Sequence, residues 1–234
     1  MKKNLKKNLK KGISLIRYGA ALKINLIFFV IMSVAGVAAE VMAFRVRING
    51  GFMVFDIGAV YLLCAANFPG QMTLSVDLSA LAQTSPIKKN IQTTMMTQMN
   101  LAFSLAAMTL IVVIRLITCT VTGTGLAEGF GDLWYTAGIV EFALLIFLAV
   151  CYKYFIASMA GMYFVLLLVG GGIGCAVGAG VLKLSMLHPH PLVSVLISYV
   201  LLLAGAGLGN LFSRLLYKKN LSKIAFGAFV QRMK

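Results

Sequence analysis

The sequence is poor in charge and poorer still in acid: charged side chains make up 12% of its 234 residues, and only six of these are Asp or Glu. Soluble domains carry ~25% charged and ~45–50% apolar residues. A chain that is 60% hydrophobic, with mean hydropathy +0.94, falls outside that class. The four cysteines, Cys64, Cys119, Cys151 and Cys175, form no CxxC, have no histidine nearby and fall within apolar stretches. They read as reduced, buried small hydrophobes rather than ligands or disulfides. His188 and His190 flank Pro189 in LHPHP, but an HxH pair with no third ligand is no metal centre. There is no GxxxxGK[ST] phosphate loop and no nucleophile, base and orienting group at catalytic spacing, so neither an enzyme nor a cofactor is expected in this chain.

What the sequence has is oil and positive charge. Six apolar stretches are long enough to cross a ~30 Å hydrocarbon layer, each read as a helix because no other single segment satisfies its own backbone there. They are Ile24–Phe44, Gly51–Pro69, Gln98–Thr120, Leu133–Tyr152, Met159–Leu182 and Pro191–Gly209. The expected fold is therefore all-α: a polytopic membrane protein with a six-helix transmembrane domain over 24–209. The second stretch is the weakest, with Asp56 near its start and Asn67 and Pro69 at its end. A signal peptide is the competing account of the first, since VAAE at 37–40 loosely fits a cleavage site, but the apolar run continues through Phe44.

Net charge is +15, and the basic residues gather at the two ends and in the connections that share their side: Lys2 to Lys23, Lys88, Lys89, Lys153, and Arg214 to Lys234. The opposite side carries Arg45, Arg47 and Lys183. The positive-inside rule then puts both termini in the cytoplasm. Anionic lipid is the expected counter-charge, not nucleic acid, because stacking aromatics are not interleaved with the lysines. In the arm 1–23, Leu5, Leu9, Ile13 and Ile16 share one helical face opposite Lys3, Lys6, Lys7, Lys10 and Lys11, the pattern of an interfacial amphipathic helix. The tail 210–234 repeats it less cleanly.

One stretch of length lies outside the lipid, the cytoplasmic connection 70–97. Leu74, Leu78 and Leu81 stand at i, i+4, i+7 with Asp77 beside them, which predicts a short helix parallel to the membrane. Pro86 disfavours helix at Ser85 and makes an elbow before the third span. A leucine stripe facing solvent has no purpose, so the short helix is expected to dock on a partner or on headgroups.

Four ionisable residues fall inside spans: Glu40, Asp56, Arg115 and Glu141. A charge at the centre of an isolated span costs at least ~2.5–3.5 kcal/mol, so these should face the bundle interior and pair. Counted from the helix ends they form one layer, ~6–12 Å below the external surface. It is a candidate external gate; the alternatives are a structural ion pair or snorkelling of Glu40 and Asp56 to the surface. Gly170, Gly174 and Gly178 in the fifth stretch and Gly205 and Gly209 in the sixth are spaced for close helix packing, expected between these two helices, with a bent or re-entrant fifth span as the other possibility.

Taken together, the basic amphipathic arm, six spans with both ends cytoplasmic and the run Ser85-Pro86-Ile87-Lys88-Lys89 leading into span three resemble the small permease subunits of ABC exporters of the second, exporter-like permease type. The layout covers the whole chain; the specific likeness covers about ten residues. The resemblance implies a dimer, with a second copy or a sister permease, whose interface forms the substrate path. It implies separate cytoplasmic ABC ATPase subunits carrying ATP and Mg, docked on Leu74, Val76, Asp77, Leu78, Ser79, Leu81, Ser85, Pro86, Lys88 and Lys89. The plasma membrane of a bacterial cell is the implied location. The family's external re-entrant element between spans five and six would here have to be built from the glycine-rich end of the fifth span, because the connection Lys183–His190 is short. Two other classes have the same outline: a membrane-embedded substrate-binding subunit of an uptake system, and a non-transporting immunity or sensor protein.

Overall fold

The computed structural model describes residues 8, 11, 13–14, 22–48, 56–77, 88–151, 153–154, 156–158, 160–164, 168, 172, 175, 179 and 189–219, with backbone alone for 24, 43–48 and 70–77. Among these residues there is no strand. Five long helices form the frame: α1 (Leu22–Ile48), α2 (Ile57–Asp77), α3 (Lys88–Thr122), α4 (Leu126–Val150) and α5 (Pro191–Leu215). Helices α1, α3, α4 and α5 are long and apolar enough to cross a membrane; the apolar part of α2, Ile57–Pro69, is shorter. The expected count of six spans is thus reduced to four among the described residues, and most of the fifth expected stretch, Met159–Leu182, lies outside them.

Helix ends follow local chemistry. Asp56 caps α2, its Oδ1 accepting from the backbone N–H of Gly58 (2.9 Å) and Ala59 (3.2 Å). α3 stops at Gly123, which takes φ +69° while its N–H bonds the Cys119 carbonyl; a left-handed residue after the last turn is where glycine costs least. Pro191 opens α5 at a position whose N–H has no helical partner to lose. The second stretch is expected to end at Pro69, but α2 runs through it to Asp77; the elbow expected at Ser85 and Pro86 lies outside the described residues. Proline withdraws one N–H from the ladder, which a helix packed in a bundle tolerates. The segment read as a separate short helix therefore begins as an extension of α2.

Two π turns interrupt the helices, Ile91–Met95 in α3 and Trp134–Gly138 in α4. The second sets the register of the buried acids. At ~100° per residue, nine residues of regular helix would put Asp132 and Glu141 about half a turn apart, on opposite faces. A π turn takes about one residue out of that count. Both carboxyls consequently fall on the buried face.

Helix directions come from the contacts. Gly36 lies on Leu62, and Gly58 on Glu40, so α1 and α2 are antiparallel and close. α4 and α5 are parallel: Gly138 meets Ser198, Phe142 meets Gly205, Leu145 meets Gly209, and past the helix ends Lys153 Nζ donates to the Lys219 carbonyl at 2.7 Å. Val150 and Pro191 therefore sit at opposite ends of the bundle. Gly205 and Gly209 pack α5 on α4; the packing expected between this helix and Gly170, Gly174 and Gly178 lies outside the described residues. The core combines Leu62, Leu63, Met108, Ile111, Leu133 and Leu202. Outward faces are apolar, with Leu26, Ile31, Val34, Ile117, Leu196 and Leu203 all exposed, a surface suited to lipid.

A β-carbon at Gly205 would stand 2.9 Å from the Phe142 Cα, a backbone atom that cannot step aside without separating α4 from α5. Gly205→Ala is expected to cost about 1–3 kcal/mol, seen as a lower thermal unfolding midpoint of the detergent-solubilised chain. Gly207→Ala, where the added carbon meets nothing, serves as the control and should leave the midpoint in place.

Candidate functional site: a buried charge cluster and a lone glutamate

Arg115 sits on α3 and is fully buried. Its planar guanidinium offers five N–H donors in a fixed fork, and each edge is used. Nε donates to Glu40 Oε1 of α1, Nη2 to Asp56 Oδ2 at the head of α2, and Nη1 to Asp132 Oδ1 in α4, each at 2.7 Å. Nη1 also reaches the Gly129 carbonyl at 3.1 Å. One side chain thus ties together four helices. Distances of 2.7 Å are those of charge-assisted bonds, roughly twice as strong as neutral ones.

Several features of the sequence converge here. Gly58 lets α1 and α2 approach until the Glu40 backbone fills the space where a side chain at 58 would be. Asp56 divides its carboxylate, one oxygen capping α2 and the other accepting from Arg115. The short first turns of α4, Leu126–Phe130, bring the Gly129 carbonyl and Asp132 under the guanidinium. Ser194 of α5 joins the same layer, its hydroxyl accepting from Trp134 N–H at 3.2 Å and donating to the Gly131 carbonyl at 3.3 Å.

Glu40, Asp56 and Arg115 are therefore brought together, and both acids are fully buried, which removes the snorkelling alternative. Glu141 does not join them. α4 begins at Leu126 rather than Leu133, so the residue at the depth of Arg115 is Asp132, and Glu141 lies about 13 Å further along the helix. Asp132 was missed because it stands just ahead of the apolar run that marked the expected span; with the Leu126 start unrecognised, it looked like loop.

Glu141 instead meets Asn67 of α2, whose Nδ2 lies 3.4 Å from both carboxyl oxygens and makes a shorter bond, 2.8 Å, to the Leu63 carbonyl. Glu141, Asn67 and Ser104 are all buried.

At the other end of the bundle, Lys88 is half-buried and Lys89 exposed at the start of α3. Leu74, Val76 and Asp77 are in α2 by backbone, and Leu78, Ser79, Leu81, Ser85 and Pro86 lie outside the described residues. Of the amphipathic arm, Asn8, Lys11, Ile13 and Ser14 are helical, and Asn8 Nδ2 donates to Gln98 Oε1 of α3 at 2.9 Å. The cysteines are free thiols; Cys119 and Cys151 are buried and Cys64 half-buried, whereas Cys175 is exposed, contrary to the expectation that all four are buried. Among the described residues no group of His, Cys, Asp and Glu is suited to a metal. A cavity of about 160 Å³ between α1, α2 and α3 is lined by Phe29, Ser33, Leu62, Ala66, Phe103 and Leu110; its one polar side chain, Ser33, donates to the Phe29 carbonyl at 2.7 Å. No protein-family model, curated protein or solved structure matches the chain.

Removing one partner from a buried ion pair strands the others, at about 3–5 kcal/mol. Arg115→Leu is expected to lower the thermal unfolding midpoint accordingly. Arg115→Lys, with the charge kept but a single point donor in place of the fork, should recover only part of the loss. Full stability of the leucine variant would mean that the cluster holds nothing together.

Proposed function

We propose that this chain is the transmembrane permease subunit of an ATP-driven ABC exporter, acting as a dimer and coupled through the α2–α3 connection to separate ATPase subunits. The reading is supported by the basic arm and tail, by the Ser85-Pro86-Ile87-Lys88-Lys89 turn, and above all by the continuity of one helix. α3 starts at that turn with Lys88 and carries Arg115 at its other end, 27 residues and about 40 Å away. A push on the connection tilts α3 as a rod, and the first bonds to feel it are those from Arg115 to Glu40, Asp56 and Asp132.

With both termini cytoplasmic, as the distribution of lysine and arginine favours, the Arg115 cluster faces outward and acts as the external latch. ATP-driven closure of the ATPases moves the connection, α3 shifts against α1, α2 and α4, and the latch exchanges between closed and open arrangements. A latch of this kind has to be bistable. Three short charge-assisted bonds from one rigid fork either align together or fail together, which suits that role.

The deciding experiment is purification of the full-length chain from its native membranes. An ATPase subunit should accompany it, and ATP hydrolysis in the eluate should disappear with Leu78→Asp or Leu81→Asp. A cysteine at position 81, introduced into a chain freed of its own four cysteines, should crosslink to that subunit. Arg115→Lys is expected to retain ATP hydrolysis while transport falls. A chain that elutes without ATPase activity and crosslinks to no nucleotide-binding subunit is not an exporter permease.

A further inference from the structure

Deeper in the bundle than the Arg115 cluster, buried polar groups surround Glu141. Its carboxyl is fully buried, with the Asn67 amide at a long 3.4 Å. Ser104 of α3, also fully buried, places its hydroxyl beside the carboxyl without closing a hydrogen bond of ordinary geometry. One turn away on the same face of α3, Asn100 is buried with its side-chain oxygen unpartnered, and towards the Lys88 end Gln92 is buried with both side-chain polar atoms unpartnered. Native interiors leave few such groups, and each one calls for an explanation.

No described cation answers Glu141. Arg115 is eleven residues beyond Ser104 on α3, about 16 Å away, and is held by the other acids. The titratable group facing Glu141 from α2 is Cys64. α5 contributes only Tyr199, whose hydroxyl engages Thr109 at 3.0 Å, with His190 and Arg214 at its ends. Tyr135 on α4 packs edge-on against Trp134. An acid at this depth with no basic partner is the arrangement found in intramembrane proton relays.

We propose that Glu141 is a proton-binding site inside the bundle, contacted by Asn67, flanked by Ser104 and reached from the Lys88 end along Gln92, Asn100 and Ser104. A water-borne proton adds to one Glu141 oxygen and is returned to water on release, with the carboxylate as its only covalent partner. The geometry favours a proton over a metal cation. The Asn67 amide is oriented by its bond to the Leu63 carbonyl, so nitrogen and not oxygen faces Glu141. One carboxylate and one hydroxyl are too few oxygens for a hard cation, which takes about six. A proton needs no further ligand.

The test is infrared difference spectroscopy of the full-length chain in lipid nanodiscs across a pH titration. A protonated-carboxyl band should titrate, disappear in Glu141→Gln and shift in Glu141→Asp, with Cys64→Ala leaving it present. If Glu141→Gln fails to fold, Asn67→Leu and Ser104→Ala retain the carboxyl and should displace the midpoint of the band. Asn100→Leu should slow exchange of the carboxyl proton for deuterium several-fold. A titrating band indifferent to all these substitutions overturns the proposal. So does a band abolished by sodium at constant pH, which assigns the site to a metal ion. The measurement involves neither ATPase nor substrate, so its failure leaves the permease reading standing.

Discussion

The fork of Arg115 is the constraint on which the arrangement of this bundle depends. In an apolar surrounding a guanidinium is tolerable only if its donors are met at once, and here they are met from three other helices at 2.7 Å. Hydrophobic packing has little directional preference among apolar helix faces; the fork does. It fixes the depth of α1 through Glu40, the start of α2 through Asp56, and the register of α4 through Asp132. Whether such buried ionic groups add stability over an apolar replacement differs between proteins, but their ability to specify one arrangement is well matched to this geometry.

The rest of the bundle is built to let the fork close. Gly58 and Gly36 bring α1 and α2 within backbone contact, without which Glu40 and Asp56 would not reach the same guanidinium. The π turn at Trp134–Gly138 lets one helix present Asp132 to the Arg115 layer and Glu141 to the interior below it. Ser194 stitches the first turns of α4 to α5, and Gly205 and Gly209 continue that contact along the helix. Close glycine contacts, the π register and the ion cluster are therefore parts of one device, and disturbing any of them displaces the others.

The helical character, four of the long spans and the pairing partners Glu40, Asp56 and Arg115 were legible in the sequence, because lipid imposes two strong rules: apolar runs become helices, and charges inside them find one another. What failed did so where those rules say little. The start of α4 at Leu126 is hidden in VTGTGLAEGFGD, where glycines and an acid look like loop; the apolar run begins only at Leu133. That single boundary error moved Glu141 into the wrong layer and hid Asp132. Pro69 misled in the opposite sense, since proline ends helices in water but not reliably in a packed bundle. The pairing of Gly205 and Gly209 with α4, which their spacing did not single out, shows the limit of spacing rules: small-residue stripes identify a contact face and leave its partner open.

The two buried acid sites differ in a way that assigns them different work. At Arg115 every edge of the fork is used and the three bonds to carboxylates are short, at 2.7 Å, so the cluster specifies one arrangement. At Glu141 the contacts are long, the neighbouring Ser104 hydroxyl and Asn100 oxygen are unpartnered, and no described basic group stands near. Such a site responds to an added charge rather than to force. Because α3 carries both Arg115 and Ser104, a helix shift that strains the first alters the surroundings of the second. On the two proposals made above, input at the α2–α3 connection and proton binding at Glu141 would act on the same helix, and each would change the work needed for the other.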